Sequence, residues 1–136
     1  MSNAVPTTHR EFWPSGGLKT EWTEIDGKKE GWRRRWLESG QLFAETEFHN
    51  GEPNGVIREW SEDGTLTLEA NTKDGEFHGS YRAWWDNGVR KEEGIYENGK
   101  QAKGYRYYRI NGDFWKEVKG DQGASDPALW SDVDAK

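Results

Sequence analysis

A carboxyl group serves general acid–base chemistry only when its protonation can change near neutral pH, so the glutamates of this chain come first. Five of them, Glu21, Glu45, Glu69, Glu93 and Glu117, stand 24 residues apart. Arginines keep the same interval at Arg10, Arg34, Arg58, Arg82 and Arg106. An arginine facing each glutamate holds the carboxylate ionised, which makes a poor general acid. His9, His49 and His78 are scattered without metal-ligand spacing, and the chain has no cysteine. It also lacks a Gly-x-Ser-x-Gly elbow and a phosphate-cradling loop. The chain is therefore expected to be a non-enzyme, with no metal site and no cofactor.

Aromatics and arginines hold the remaining chemical potential. Phe12, Trp36, Trp60, Trp84 and Tyr108 recur with the same period, as a residue does when it builds a scaffold. Stacking of nucleobases on them is disfavoured by a net charge of −6, whereas sugar stacking meets no such objection. Tyr81, Trp85, Tyr105, Tyr107 and Arg109 vary between repeats and, with Arg33 and Arg35, are of the types enriched in binding hot spots. That face is read either as an interface or as the core side. Arg33 and Arg35 are costly to bury unpaired, which tilts their end towards solvent.

The elements that position these residues follow from the repeat. Glycines recur at Gly16, Gly40, Gly64, Gly88 and Gly112, and again at Gly27, Gly51, Gly75, Gly99 and Gly123. Most follow Asp, Asn or Ser, the signal of a tight hairpin turn, and strand-like runs lie between them. Residues 9–120 are expected to form an all-β, elongated and twisted antiparallel meander of 24-residue hairpin repeats, about ten strands in all. A two-residue loop at Ser39-Gly40 pairs Leu37 with Leu42, Trp36 with Phe43 and Arg34 with Glu45. The same count pairs Arg10 with Glu21, Arg58 with Glu69, Arg82 with Glu93 and Arg106 with Glu117. It puts the aromatic series beside this charged ladder and Leu18, Leu42 and Leu66 on the opposite face with the variable aromatics. A one-residue slip would break every charged pair, so the ladder fixes register.

Length and composition agree with one thin-cored domain. Leu, Ile, Val and Phe make up only 20 of 136 residues, yet there are 9 Trp and 17 Gly. Residues 1–8 are read as an N-terminal tail in which Ser2-Asn3-Ala4 has the look of a cloning remnant. Residues 121–136 are acidic, and Asp126-Pro127 opens an expected short capping helix or tail. The acidic balance argues against nucleic acid and against an anionic membrane, and the lack of a signal pattern gives a cytoplasmic expectation.

The unit Gly-x-Leu-x-x-Glu, Asp/Asn-Gly-Lys/Glu-x-x-Gly, x-Arg-x-Trp resembles the MORN repeat, particularly the bacterial variant of YwqK-family antitoxins. Glu97-Asn98-Gly99-Lys100 and Ala83-Trp84-Trp85-Asp86-Asn87-Gly88 carry the likeness best. Lys103 in a glycine place and Arg90 in a leucine place depart from it. The resemblance implies an antitoxin or immunity protein that captures a toxin or effector, with a basic partner suiting the acidic sheet. Alternatives are a membrane-associated or self-assembling scaffold, in which two copies could pair through a sheet edge as a homodimer, and a glycan-binding sheet.

Overall fold

The computed structural model describes residues 4–120, which form one open antiparallel sheet with no helix among them. The strands are β1 (Thr7–Phe12), β2 (Leu18–Ile25), β3 (Lys28–Lys29), β4 (Gly31–Trp36), β5 (Leu42–His49) and β6 (Glu52–Trp60). They continue as β7 (Leu66–Lys73), β8 (Glu76–Trp84), β9 (Arg90–Glu97), β10 (Lys100–Gln101), β11 (Arg106–Tyr108) and β12 (Phe114–Glu117). Neighbours in sequence are neighbours in space, in the order β1-β2-β4-β5-β6-β7-β8-β9-β11-β12, with β3 on β2 and β10 on β9. The sheet opens at Thr7, so Thr7 and Thr8 belong to it and not to the tail. The helix expected in 121–136 lies outside the described residues.

Two kinds of turn alternate. Asp26-Gly27, Asn50-Gly51, Asp74-Gly75 and Asn98-Gly99 have positive φ at both residues, as a type I′ hairpin requires. The turn at Ser39-Gly40 is different from the two-residue loop expected there. Only Gly40 has positive φ (96°), Gly40 N donates to Leu37 O at 2.9 Å, and Leu37 N donates to Gln41 O at 2.8 Å. This is a longer loop closed by a left-handed glycine, and it recurs at Gly16, Gly64, Gly88 and Gly112. Beside it the register slips: Trp36 pairs with Leu42, not Phe43, before Arg35 pairs with Ala44. The extra residue reverses the alternation. Leu18, Leu42 and Leu66 therefore pair with Phe12, Trp36 and Trp60 on the ladder side, a correction to the face expected for them.

The slip stops short of the charged rungs. Arg10, Glu21, Arg34, Glu45, Arg58, Glu69, Arg82, Glu93, Arg106 and Glu117 form one continuous row, each directly opposite the next. Rungs within hairpins lie where the count placed them, and the rungs between hairpins alternate in charge as well. Glu45 accepts from Arg34 Nε at 2.9 Å and Arg58 Nη1 at 3.1 Å. Arg58 Nε reaches on to Glu69 at 2.9 Å, and Arg82 Nη2 meets the other oxygen of Glu69 at 3.0 Å.

The opposite face holds the core. Two repeat positions there trade volume: Thr46, Ala70 and Gly94 shrink along the sheet while Arg33, Ile57, Tyr81 and Tyr105 turn aromatic. Ala70 sits between Ile57 and Tyr81, and Tyr81 pairs with Gly94. Rings stack from Phe77 through Tyr81, Tyr96, Tyr105 and Tyr107 to Trp115, with centroids 5.2–6.1 Å apart. Such offset and edge contacts suit the aromatic quadrupole.

Three of the four type I′ turns also rest on the repeat before them. Gly51 N, Gly75 N and Gly99 N donate to the carbonyls of Lys29, Pro53 and Phe77, each at 2.9 Å. Asn50 N, Asp74 N and Asn98 N donate to side chains of Glu30, Asn54 and His78 at 3.0–3.1 Å.

Two stability predictions follow from burial. Glu45 is 9% exposed at its side chain and serves two arginines, whereas Glu21 is 33% exposed. Glu45→Gln is expected to cost about 2 kcal/mol and Glu21→Gln about 0.5 kcal/mol, read from urea unfolding; equal costs would refute the ranking. A Cβ on Gly94 would clash with the Tyr105 ring and lie 2.8 Å from Tyr105 Cα. Gly94→Ala should therefore lose about 1–3 kcal/mol by overpacking, with a lowered Tm as the readout.

Candidate protein-binding surface

The long turns line one margin of the sheet, and short polar residues shape them. Asp63 accepts from Ser61 Oγ, from Thr65 Oγ1 at 2.9 Å and from Thr65 N at 3.1 Å. These bonds, that of Ser61 foremost, hold its carboxyl below the usual range and keep it charged. Asn87 Oδ1 and Asn111 Oδ1 accept from Val89 N and Asp113 N in the same way, at 3.0 and 2.9 Å.

Beneath these turns three clefts adjoin. The first, of about 350 Å³, is lined by Glu59, Leu68, Tyr81, Trp85, Asp86 and Glu92 among others. It shares Thr67 and Asp86 with a second of about 530 Å³, floored by Leu37 and Phe43 and edged by Glu62 and Asp63. Leu37 and Glu62 pass into a third that adds Glu38. The result is a groove of mixed polar and apolar lining, rimmed by carboxylates. Two cations lie on its rings, Arg35 over Phe43 at 5.1 Å and Lys91 over Trp85 at 4.6 Å.

The contact of Lys91 with Trp85 belongs to a recurring pair. Lys19 lies over Trp13 at 4.9 Å and Arg109 over Trp115 at 5.3 Å, with aromatic and cation exchanging places in the last case. The repeat spacing of 13/19, 85/91 and 109/115 carries this signal in the sequence, but only comparison of paired positions reveals it.

A buried polar network closes the inner end of the groove. Tyr105 Oη donates to Glu92 Oε1 at 2.7 Å, and Gln101 Nε2 donates to Tyr96 Oη at 3.1 Å and Tyr107 Oη at 2.6 Å. Glu92 and Gln101 are each 1% exposed. Burial, and then the charge of Glu92, push the Tyr81 and Tyr105 hydroxyls far above the ordinary tyrosine value, so both stay protonated.

The residues singled out from the sequence thus separate. Tyr105 and Tyr107 are 0% exposed and Tyr81 is 9% exposed, which makes them core residues with almost no surface for a partner. Trp85 and the edge of Tyr81 reach the groove. Arg35 is exposed and stacks on Phe43 at 5.1 Å, while Arg33 stacks on Phe48 at 5.2 Å with its Nε buried. Burial, then the neighbouring Arg35, lower the Arg33 pKa. Arg109 lies at the far end, over Trp115. The groove carboxylates Glu59, Glu62 and Asp86 were not legible as a set, because they sit on different turns and strands.

The ladder side carries the other apolar feature. Phe12/Leu18, Trp36/Leu42, Trp60/Leu66, Trp84/Arg90 and Tyr108/Phe114 form a stripe of paired residues along it. Among the described residues, no group of His, Asp and Glu is placed to hold a metal ion. His9 stacks on Trp22 with centroids 5.1 Å apart, and His49 Nδ1 lies 2.9 Å from Glu30. No helix among these residues is long and apolar enough to cross a membrane.

Residues 77–100, from the middle of the chain, match the family described as MORN repeat variant. Repeats of this kind build protein- or membrane-binding modules that are typically non-enzymatic. No curated protein matches the chain.

Two measurements check the polar assignments. Tyr105→Phe keeps the ring and removes the donor to buried Glu92, and is expected to cost about 1–3 kcal/mol in urea unfolding; a neutral result would show that Glu92 does not depend on it. Glu30 raises the His49 pKa above its ordinary 6.5, by hydrogen bond and then by charge. Asn50 N, then His49, lower that of Glu30 below its ordinary 4.5. A raised histidine stabilises the fold below its unfolded pKa and loses that contribution as pH rises through its folded value; the lowered glutamate loses its own as pH falls. The Tm difference between the native chain and His49→Ala should therefore be largest between those two ordinary values and fade at alkaline pH. A difference that grows above pH 8 would contradict the pairing.

Proposed function

We propose that this chain is a non-enzymatic capture protein, an antitoxin or immunity protein of the bacterial cytoplasm that neutralises a basic toxin or effector by stoichiometric binding. The observation that carries this is the carboxylate-rimmed groove beneath the long turns. Apolar floor residues Leu37, Phe43 and Trp85 offer buriable area, and Glu59, Glu62 and Asp86 set the sign of the partner. Carboxylates around such a groove steer a basic surface into encounter and reject acidic ones. The family match supports a binding module, and the YwqK-like pattern of its turns supports the antitoxin role. The same negative rim opposes an anionic lipid surface.

The experiment is a pull-down from the source organism with the native chain and the Glu59→Lys/Asp86→Lys variant as parallel baits. The expected result is one stoichiometric basic partner on the native bait, lost by more than about tenfold on the variant at unchanged Tm. That partner should be toxic to a host cell unless this chain is co-expressed. Equal retention on both baits would remove the groove as the binding surface. Binding of anionic vesicles with no protein partner would overturn the capture reading.

A further inference from the structure

The sheet is open, and its two edges are unlike. Among the described residues, β1 pairs with β2 alone and β12 with β11 alone. A strand edge presents a row of N–H and C=O groups on which another strand can be laid. The ladder reaches one edge on Arg10 and the other on Glu117. On the opposite face the adjacent row begins at Glu11 and ends at Lys116. Both faces therefore present opposite charges at the two edges.

Phase and direction agree with the charges. Arg10 occupies the same repeat position as Arg34, and Arg34 stands against Glu21 of the preceding hairpin, with Arg35 against Thr20. A copy whose β1 continued the sheet beyond β12 in that phase would set Arg10 against Glu117 and Glu11 against Lys116. Ten alternating strands lie on the main path, so β1 and β12 run in opposite directions and the added strand would be antiparallel. The apolar stripe continues too. Phe12 is 58% exposed and Phe114 is 55% exposed, whereas Trp36, Trp60, Trp84 and Tyr108 within the sheet are half-buried. Pairing of two like edges in ladder register would instead oppose Arg10 to Arg10, or Glu117 to Glu117.

We propose that copies of this chain associate head to tail, β1 of one adding to β12 of the next, so that the Arg–Glu ladder passes unbroken between molecules. The contact is heterologous and leaves a free edge at each end, so assembly proceeds beyond the dimer. It is independent of the groove and of the capture function.

Sedimentation velocity of the full chain across a concentration series is the test, with far-UV circular dichroism to establish folding. The native chain should show a concentration-dependent series of species. Arg10→Glu alone and Glu117→Arg alone should each weaken association by more than about tenfold, through like charges at the junction. An equimolar mixture of the two variants should recover it, because both junctions are then of opposite sign. A native chain that stays monomeric, or association indifferent to both substitutions, would overturn the proposal. If either variant fails to fold, the register can be read directly, since the chain has no cysteine of its own. Glu11→Cys/Lys116→Cys should form covalent multimers on mild oxidation, and recovery of only monomer would also overturn it.

Discussion

Opposite charges placed directly across from one another, strand after strand, are the constraint on which this sheet depends. A hairpin meander with few aliphatics has little in its core to choose one register over its neighbours. The row from Arg10 to Glu117 makes that choice at every interface, within repeats and between them. Exposed ion pairs contribute little energy one at a time. Here Glu45, Arg58 and Glu69 each touch two ladder partners, so a guanidinium or carboxylate ordered at one of those rungs is already positioned for the next. The ladder therefore works as a register device more than as a reservoir of stability, and it frees the opposite face to be packed unevenly.

That uneven packing explains where binding surface and core fall. Volume exchanged between two repeat positions concentrates aromatic rings in the C-terminal half, over Ala70 and Gly94. There Tyr81, Tyr105 and Tyr107 are used up in packing. Beneath the long turns on that face, Phe43 and Trp85 meet carboxylates from separate turns. Core and groove are thus two outcomes of one repeat whose positions vary in size.

The fold was legible because its signals are local and repeated. Glycine after Asp or Asn states a turn, the 24-residue period states the hairpin, and opposed charges state the pairing of its strands. The bulge beside each long turn was not legible. A two-residue loop and a longer loop with one bulge return to the same register two rungs away, so Arg34 meets Glu45 on either count, while Leu42 changes face. Burial of the tyrosines was also hidden, since hot-spot residues and core residues share the same types and only three-dimensional neighbours such as Gly94 distinguish them. The groove depended on residues brought together across hairpins, and no spacing along the chain announces that.

The turn contacts have a consequence for how such a chain can change length. Every 24-residue unit contributes one arginine and one glutamate to the ladder, and Glu30, Asn54 and His78 each supply the side chain that holds the following turn. Removing or duplicating a whole unit leaves each of these relations intact at the new join. Losing or gaining any other number of residues misaligns charge, bulge and turn together. The architecture is therefore modular in its heredity, with the whole repeat as the unit in which register, bulge and turn stay in phase.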